Sequence, residues 1–105
     1  MNTMTSAQVV QANMMAKVVE LADALREQLG HDTLMIIHED LVRGIDLGIS
    51  VELGTRFGVE VWRWRVLNEY PHQQVEESGV ADDIEVAIVA ACMVAVGKVF
   101  AAGSL

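Results

Sequence analysis

The chain has 105 residues, 52% of them hydrophobic and 5% aromatic, and a formal net charge of −8. One domain is expected at this length, and the composition excludes a chain too polar to fold. The charge excludes a protein that grips nucleic acid directly through its phosphates, argues against a membrane partner, and leaves a basic protein surface as the complementary partner.

Residues 6–30, SAQVVQANMMAKVVELADALREQLG, read as an amphipathic helix. Thr5 followed by Gln8, or Ser6 itself, supplies the N-terminal cap. Met15, Val18, Ala22, Leu25 and Leu29 recur at spacings of three and four, and Met14 and Leu21 widen the stripe. Gly30 stands where a helix wants a left-handed residue to stop.

Residues 33–43, TLMIIHEDLVR, form a short helix or a strand. A short apolar run has no diagnostic period, and the shared face of Leu34, Ile37 and Leu41 tips the reading to helix. Residues 45–53 alternate, with Ile45, Leu47, Ile49, Val51 and Leu53 on one side, as a half-buried strand does. GTRFG then closes a β-hairpin whose return strand is 59–66, so the hairpin spans about 45–66.

The return strand, VEVWRWRV, raises the question of whether its tryptophans face a ligand or the core. With a four-residue loop, Ile49 faces Trp62, Leu47 faces Trp64, Val51 faces Glu60, and Asp46 meets Arg65 on the reverse face. Burying Trp62 and Trp64 removes a large apolar area from water, whereas burying Arg63 and Arg65 instead costs several kcal/mol per unpaired charge. The tryptophans are therefore assigned to the core. The competing function is a small-molecule or nucleotide pocket between subunits, lined by Trp62, Trp64, Arg63 and Arg65.

NEYPHQQVEESGV reads as a polar loop, and Asp82 or Asp83 opens a last helix over about 82–101. From Val86 to Gly97 that helix carries no charged side chain. The run is shorter than the ~20 residues a membrane span needs, so a membrane association is not expected. A helix apolar all round must instead be covered all round, and this chain is too short to do so alone. A homo-oligomer, a two-fold dimer in the first place, follows. The small-residue row Ala87, Ala91 and Ala95, with Val94 beside it, is the predicted interface.

No catalytic pattern emerges. His31 and His38, seven residues apart, would lie about 10 Å apart on one helix, too far to share a metal, and the neighbours of Cys92 raise a thiol pKa rather than lower it. No glycine-rich phosphate loop or nucleophile elbow is present, so neither a metal nor a cofactor is expected. The single cysteine fits a reducing compartment, and MNTMTSAQVVQ lacks the pattern of a secretory leader, so the expected location is the cytoplasm. The acidic run Glu76–Glu85 complements the start of the last helix, and it also offers a docking patch. Glu76, Glu77, Asp82 and Asp83, with Tyr70 and His72 nearby, are the candidate partner-binding residues. The sequence thus predicts an α+β domain, a hairpin packed between two helices, acting as a non-enzymatic regulator or inhibitor that binds a macromolecule stoichiometrically. A mimic of nucleic-acid charge is the further alternative.

Overall fold

In the computed structural model, residues 5–40, 45–68 and 74–103 are described. Helix α1 (Ser6–Arg26) leads into strands β1 (Thr33–Asp40), β2 (Ile45–Arg56), β3 (Val59–Asn68) and β4 (Gln74–Ala81), and helix α2 (Ile84–Gly103) follows. The strands form one antiparallel sheet in the order β1-β2-β3-β4. Both helices lie on one face, α2 over β2, β3 and β4, and α1 beside α2 and β1. The α+β class holds, with the hairpin lying between the two helices in chain order and its sheet packed against both, and β1 and β4 extend the hairpin to four strands.

The cap of α1 is a reciprocal pair. The Gln8 amide N–H donates to the Thr5 hydroxyl at 3.2 Å, and the Thr5 N–H donates to the Gln8 side chain at 2.8 Å. Two of the helix's unpaired donor groups are satisfied this way. The helix stops at Arg26, earlier than Gly30. The amides of Gln28 and Leu29 donate to the carbonyls of Leu25 and Arg26, three residues back, so the last turn tightens before the chain turns at Gly30, φ 106°. Val18, Leu21, Ala22 and Leu25 are buried, with Met14 packed against them. Met15 and Leu29, which the spacing placed on that stripe, are exposed.

Residues 33–40 form a strand, not a helix, and residues 41–43 lie outside the described residues. Leu34 and Ile36 point to the helices while Met35 and Ile37 point away, so the period is two. Pairing along β2, from Thr33 opposite Glu52 to Asp40 opposite Ile45, decides the conformation that the local sequence left open.

The hairpin turn is two residues, Phe57 and Gly58, with φ of 53° and 79°. Positive φ at both central residues matches the twist of the flanking strands. Val51 therefore lies opposite Trp64, Leu53 opposite Trp62 and Ile49 opposite Val66. The predicted partners are displaced along β3 by four residues, an even number, so every side chain keeps its predicted face. Trp62 and Trp64 pack against the core, as expected. The predicted meeting of Asp46 with Arg65 does not occur; Ser50 lies opposite Arg65 and Glu52 opposite Arg63.

Residues 74–81 are an edge strand rather than a loop. A bulge at Glu76 sets Val66 opposite Glu77 and Leu67 opposite Val75. Gly79 lies opposite Trp64, and the indole covers it so closely that a β-carbon there would stand 2.6 Å from three ring atoms. The strand thus contributes backbone where Trp64 needs a flat surface.

In α2, the Ala87 amide bonds to the Asp83 carbonyl at 3.1 Å, and Ala87, Ile88, Ala91, Cys92, Ala95 and Val96 are buried. Arg26 of α1 ties the start of α2 down, its Nη2 lying 3.0 Å from Glu85, while its Nη1 bonds to Asp23 at 2.8 Å. These hydrogen bonds, first to Glu85 and then to Asp23, raise the guanidinium pKa further. No helix among the described residues is long and apolar enough to cross a membrane.

Candidate functional site

The apolar girth of α2 divides into two unlike halves. Ala87, Ala91 and Ala95 are buried within the single chain. Their small side chains let α2 settle on its own sheet and α1, so this row cannot serve as a surface for another copy. Val94 is half-buried and packs against the same core. The outward half is Val86, 57% exposed, and Met93, 55% exposed, with Val89 and Ala90 between them. These four residues and Glu85 line a shallow groove. Spacings of three and four put them on one side of the helix.

At its N-terminal end the apolar face runs into a cleft of about 380 Å³. Arg56, Val61, Val80, Asp82, Asp83 and Val86 line it, and Val86 belongs to both cleft and groove. Val61 is buried here although it lies on the sheet face opposite the tryptophans, across from Gly54. The two-residue turn brings Arg56 next to Val59 in the ladder and so to the cleft mouth. The β4–α2 connection supplies Asp82 and Asp83, both exposed. An apolar floor with two carboxylates and one guanidinium at its edges suits a ligand that is itself part apolar and part basic.

The acidic run does not form one patch. Glu85 is engaged by Arg26. Glu77 is exposed on β4, about 16 Å along the strand from Asp82 at ~3.3 Å per residue. Glu76 sits at the bulge, and Tyr70 and His72 lie outside the described residues. Of the acidic candidates, Asp82 and Asp83 line the cleft.

The tryptophan–arginine pocket is not assembled within one chain. Trp62 and Trp64 face the helices, while Arg63 and Arg65 take the alternate positions on the open face of the sheet. Among the described residues no group of three or more His, Cys, Asp or Glu side chains could hold a metal ion.

Comparison with protein families, curated proteins and solved structures finds no match. The chain's own geometry is therefore the whole basis for reading its function. Arg56, Val61 and Val80 were not legible as site residues, because the turn geometry and β4 bring them together. Val86 carried a signal, the apolar run that exceeds what one chain can cover.

Cys92 lies in the core, and burial pushes its thiol pKa up to about 11. A thiol so placed should resist alkylation at neutral pH in the native protein and react at once in denaturant. Rapid labelling of the native state would mean that α2 detaches from the sheet. Between pH 9.0, the reference value, and about 11 the native chain keeps a proton that the unfolded chain releases. Stability contributed at Cys92 is thus intact below that window and falls as pH rises through it.

Proposed function

We propose that this protein acts without chemistry of its own, by stoichiometric binding of a protein segment that is both apolar and basic. The observation that carries the reading is the cleft at the start of α2, where an apolar floor of Val61, Val80 and Val86 meets the exposed carboxylates of Asp82 and Asp83. The apolar residues of the partner fill the cleft and continue along the groove of α2, and its lysines or arginines meet the carboxylates at the rim. Apolar burial supplies most of the affinity, at roughly 25 cal/mol per Å² of area removed from water. The carboxylates supply orientation and rate of encounter.

Titration with a synthetic amphipathic peptide of alternating leucine and lysine tests this reading. Asp82→Lys with Asp83→Lys should weaken binding about tenfold, since exposed pairs contribute ~0.2–1 kcal/mol each and reversal adds repulsion. Added salt should weaken the wild type and narrow its advantage over the variant, because screening also relieves the variant's repulsion. Equal affinity for both proteins would remove the cleft from consideration.

A second reading has its own observation. The outward face of α2 is apolar and open, with Val86 and Met93 both more than half exposed. A second copy, paired through the same face about a two-fold axis, covers it on both chains at once. Homodimerisation on this face is the predicted assembly, with the Val86–Met93 side of the helix in the contact.

A further inference from the structure

We propose that the free edge of β1 is a strand-addition site for a second copy of this chain, and that Gln28 holds it closed. β1 is an outer strand of the sheet. Its Met35 amide donates to the Gln28 side-chain oxygen at 2.9 Å, and the Gln28 side-chain amide donates to the Met35 carbonyl at 2.8 Å. A primary amide making both bonds to one residue does what the peptide groups of an added strand would do. The side chain is a stand-in for a fifth strand, one residue long.

The direction of each backbone group follows from two contacts. Met35 turns both its groups to Gln28, away from β2. The Asp32 carbonyl, by contrast, accepts from the Leu53 amide at 2.8 Å, towards β2. Antiparallel pairing alternates residue by residue, so Asp32, Leu34 and Ile36 bond inward while Thr33, Met35 and Ile37 present their groups outward. Gln28 satisfies the middle one. The adjoining side chains are apolar and open to solvent, with Ile37 54% and Met35 41% exposed, and Leu29 47% exposed nearby. From Thr33 to Ile37 the edge has no charged residue. The opposite edge, β4, carries Glu76 and Glu77, the usual defence against edge pairing. On β1 Gln28 takes the place of that defence.

The occupant is set by symmetry and charge. An antiparallel pair of β1 strands about a two-fold axis at Met35 sets each Met35 against the other, where the two exchange the bonds now made to Gln28. Thr33 then stands opposite Ile37 and Asp32 opposite His38, once at each end of the pair. Acid meets histidine at both ends of the ladder, and no two carboxylates oppose each other. The product is one continuous eight-stranded sheet with all four helices on the same side. Gln28 follows α1 on a tightened turn and is only half-buried, so its release leaves the core untouched.

Removing the plug without altering the strand tests the proposal. Gln28→Ala should about double the solution mass of the full-length protein in light scattering at micromolar concentration, with a wild-type circular dichroism spectrum. Adding Ile37→Pro to Gln28→Ala should return the mass to the wild-type value. Proline deletes an outward N–H and leaves the inward ladder to β2 intact. Combining Gln28→Ala with Met93→Glu, on the outward face of α2, should give twice the mass of Met93→Glu alone, which separates this contact from the one proposed for α2. A wild-type mass for Gln28→Ala overturns the proposal. Loss of folding in Gln28→Ala also overturns it, because Gln28 would then be a structural tie, and so does a doubling that Ile37→Pro leaves unchanged.

Discussion

Gly79→Ala is expected to destabilise the protein by about 1–3 kcal/mol, the range for forcing extra volume into a packed site. The new β-carbon would lie 2.6 Å from Cε2, Cζ2 and Nε1 of Trp64, all within the rigid indole rather than at the end of a flexible chain. The ring has one way out, by rotating off β4. That movement also disturbs Val51 opposite it in the ladder, which is fully buried. Chemical denaturation should show the loss, and tryptophan emission should shift to the red as the indole gains water. Gly79→Val should be worse on both measures. Unchanged stability and emission for Gly79→Ala would mean that Trp64 does not lie across β4.

The second large effect is a contrast between two neighbours on α2. Ala91→Glu should prevent folding or nearly so. Ala91 is fully buried against the chain's own core, and an uncompensated buried charge costs several kcal/mol out of a total stability of about 5–15 kcal/mol. Ala91→Leu should fold but lose about 1–3 kcal/mol to overpacking. Met93→Glu, two residues on, should fold with the wild-type circular dichroism spectrum, because Met93 faces outward, and its thermal midpoint should fall only by what association contributes and cease to depend on concentration. It should also reduce the solution mass from two copies to one, since a charge placed in the apolar contact cannot be paired across the two-fold axis. Circular dichroism and light scattering on the three variants decide the matter. If Met93→Glu unfolds, or if it leaves a dimer intact, the outward face of α2 is not the contact.

The helix α1 and the strand β2 could be read from the sequence because each carries its own period, and the helix α2 because an acidic cap opens a long unbroken apolar run. Thr5 and Gln8 could be read as a cap because the motif is complete within four residues. The burial of Trp62 and Trp64 was also legible, since alternation with Arg63 and Arg65 leaves a single low-cost choice of face. The two strands that border the hairpin were not. TLMIIHED is too short to reveal its period, and VEESGVA reads as polar because one side of an edge strand meets water and the other contributes glycine beneath an indole. Both became strands through pairing with residues distant in the chain.

The candidate site divides the same way. Apolar girth in α2 signalled from the sequence that part of the helix had no cover, and Asp82 and Asp83 were recognised as exposed acids at its start. Which half of the girth is open was fixed by the tertiary structure. The sheet and α1 take up the alanine row because small side chains permit the closest approach, and the larger Val86 and Met93 are left outside. The cleft needed Arg56 from the turn and Val80 from β4 beside Val86, a meeting that no local pattern encodes. Periodicity reports which side of an element is apolar; it takes the packed chain to say which apolar side already has a partner.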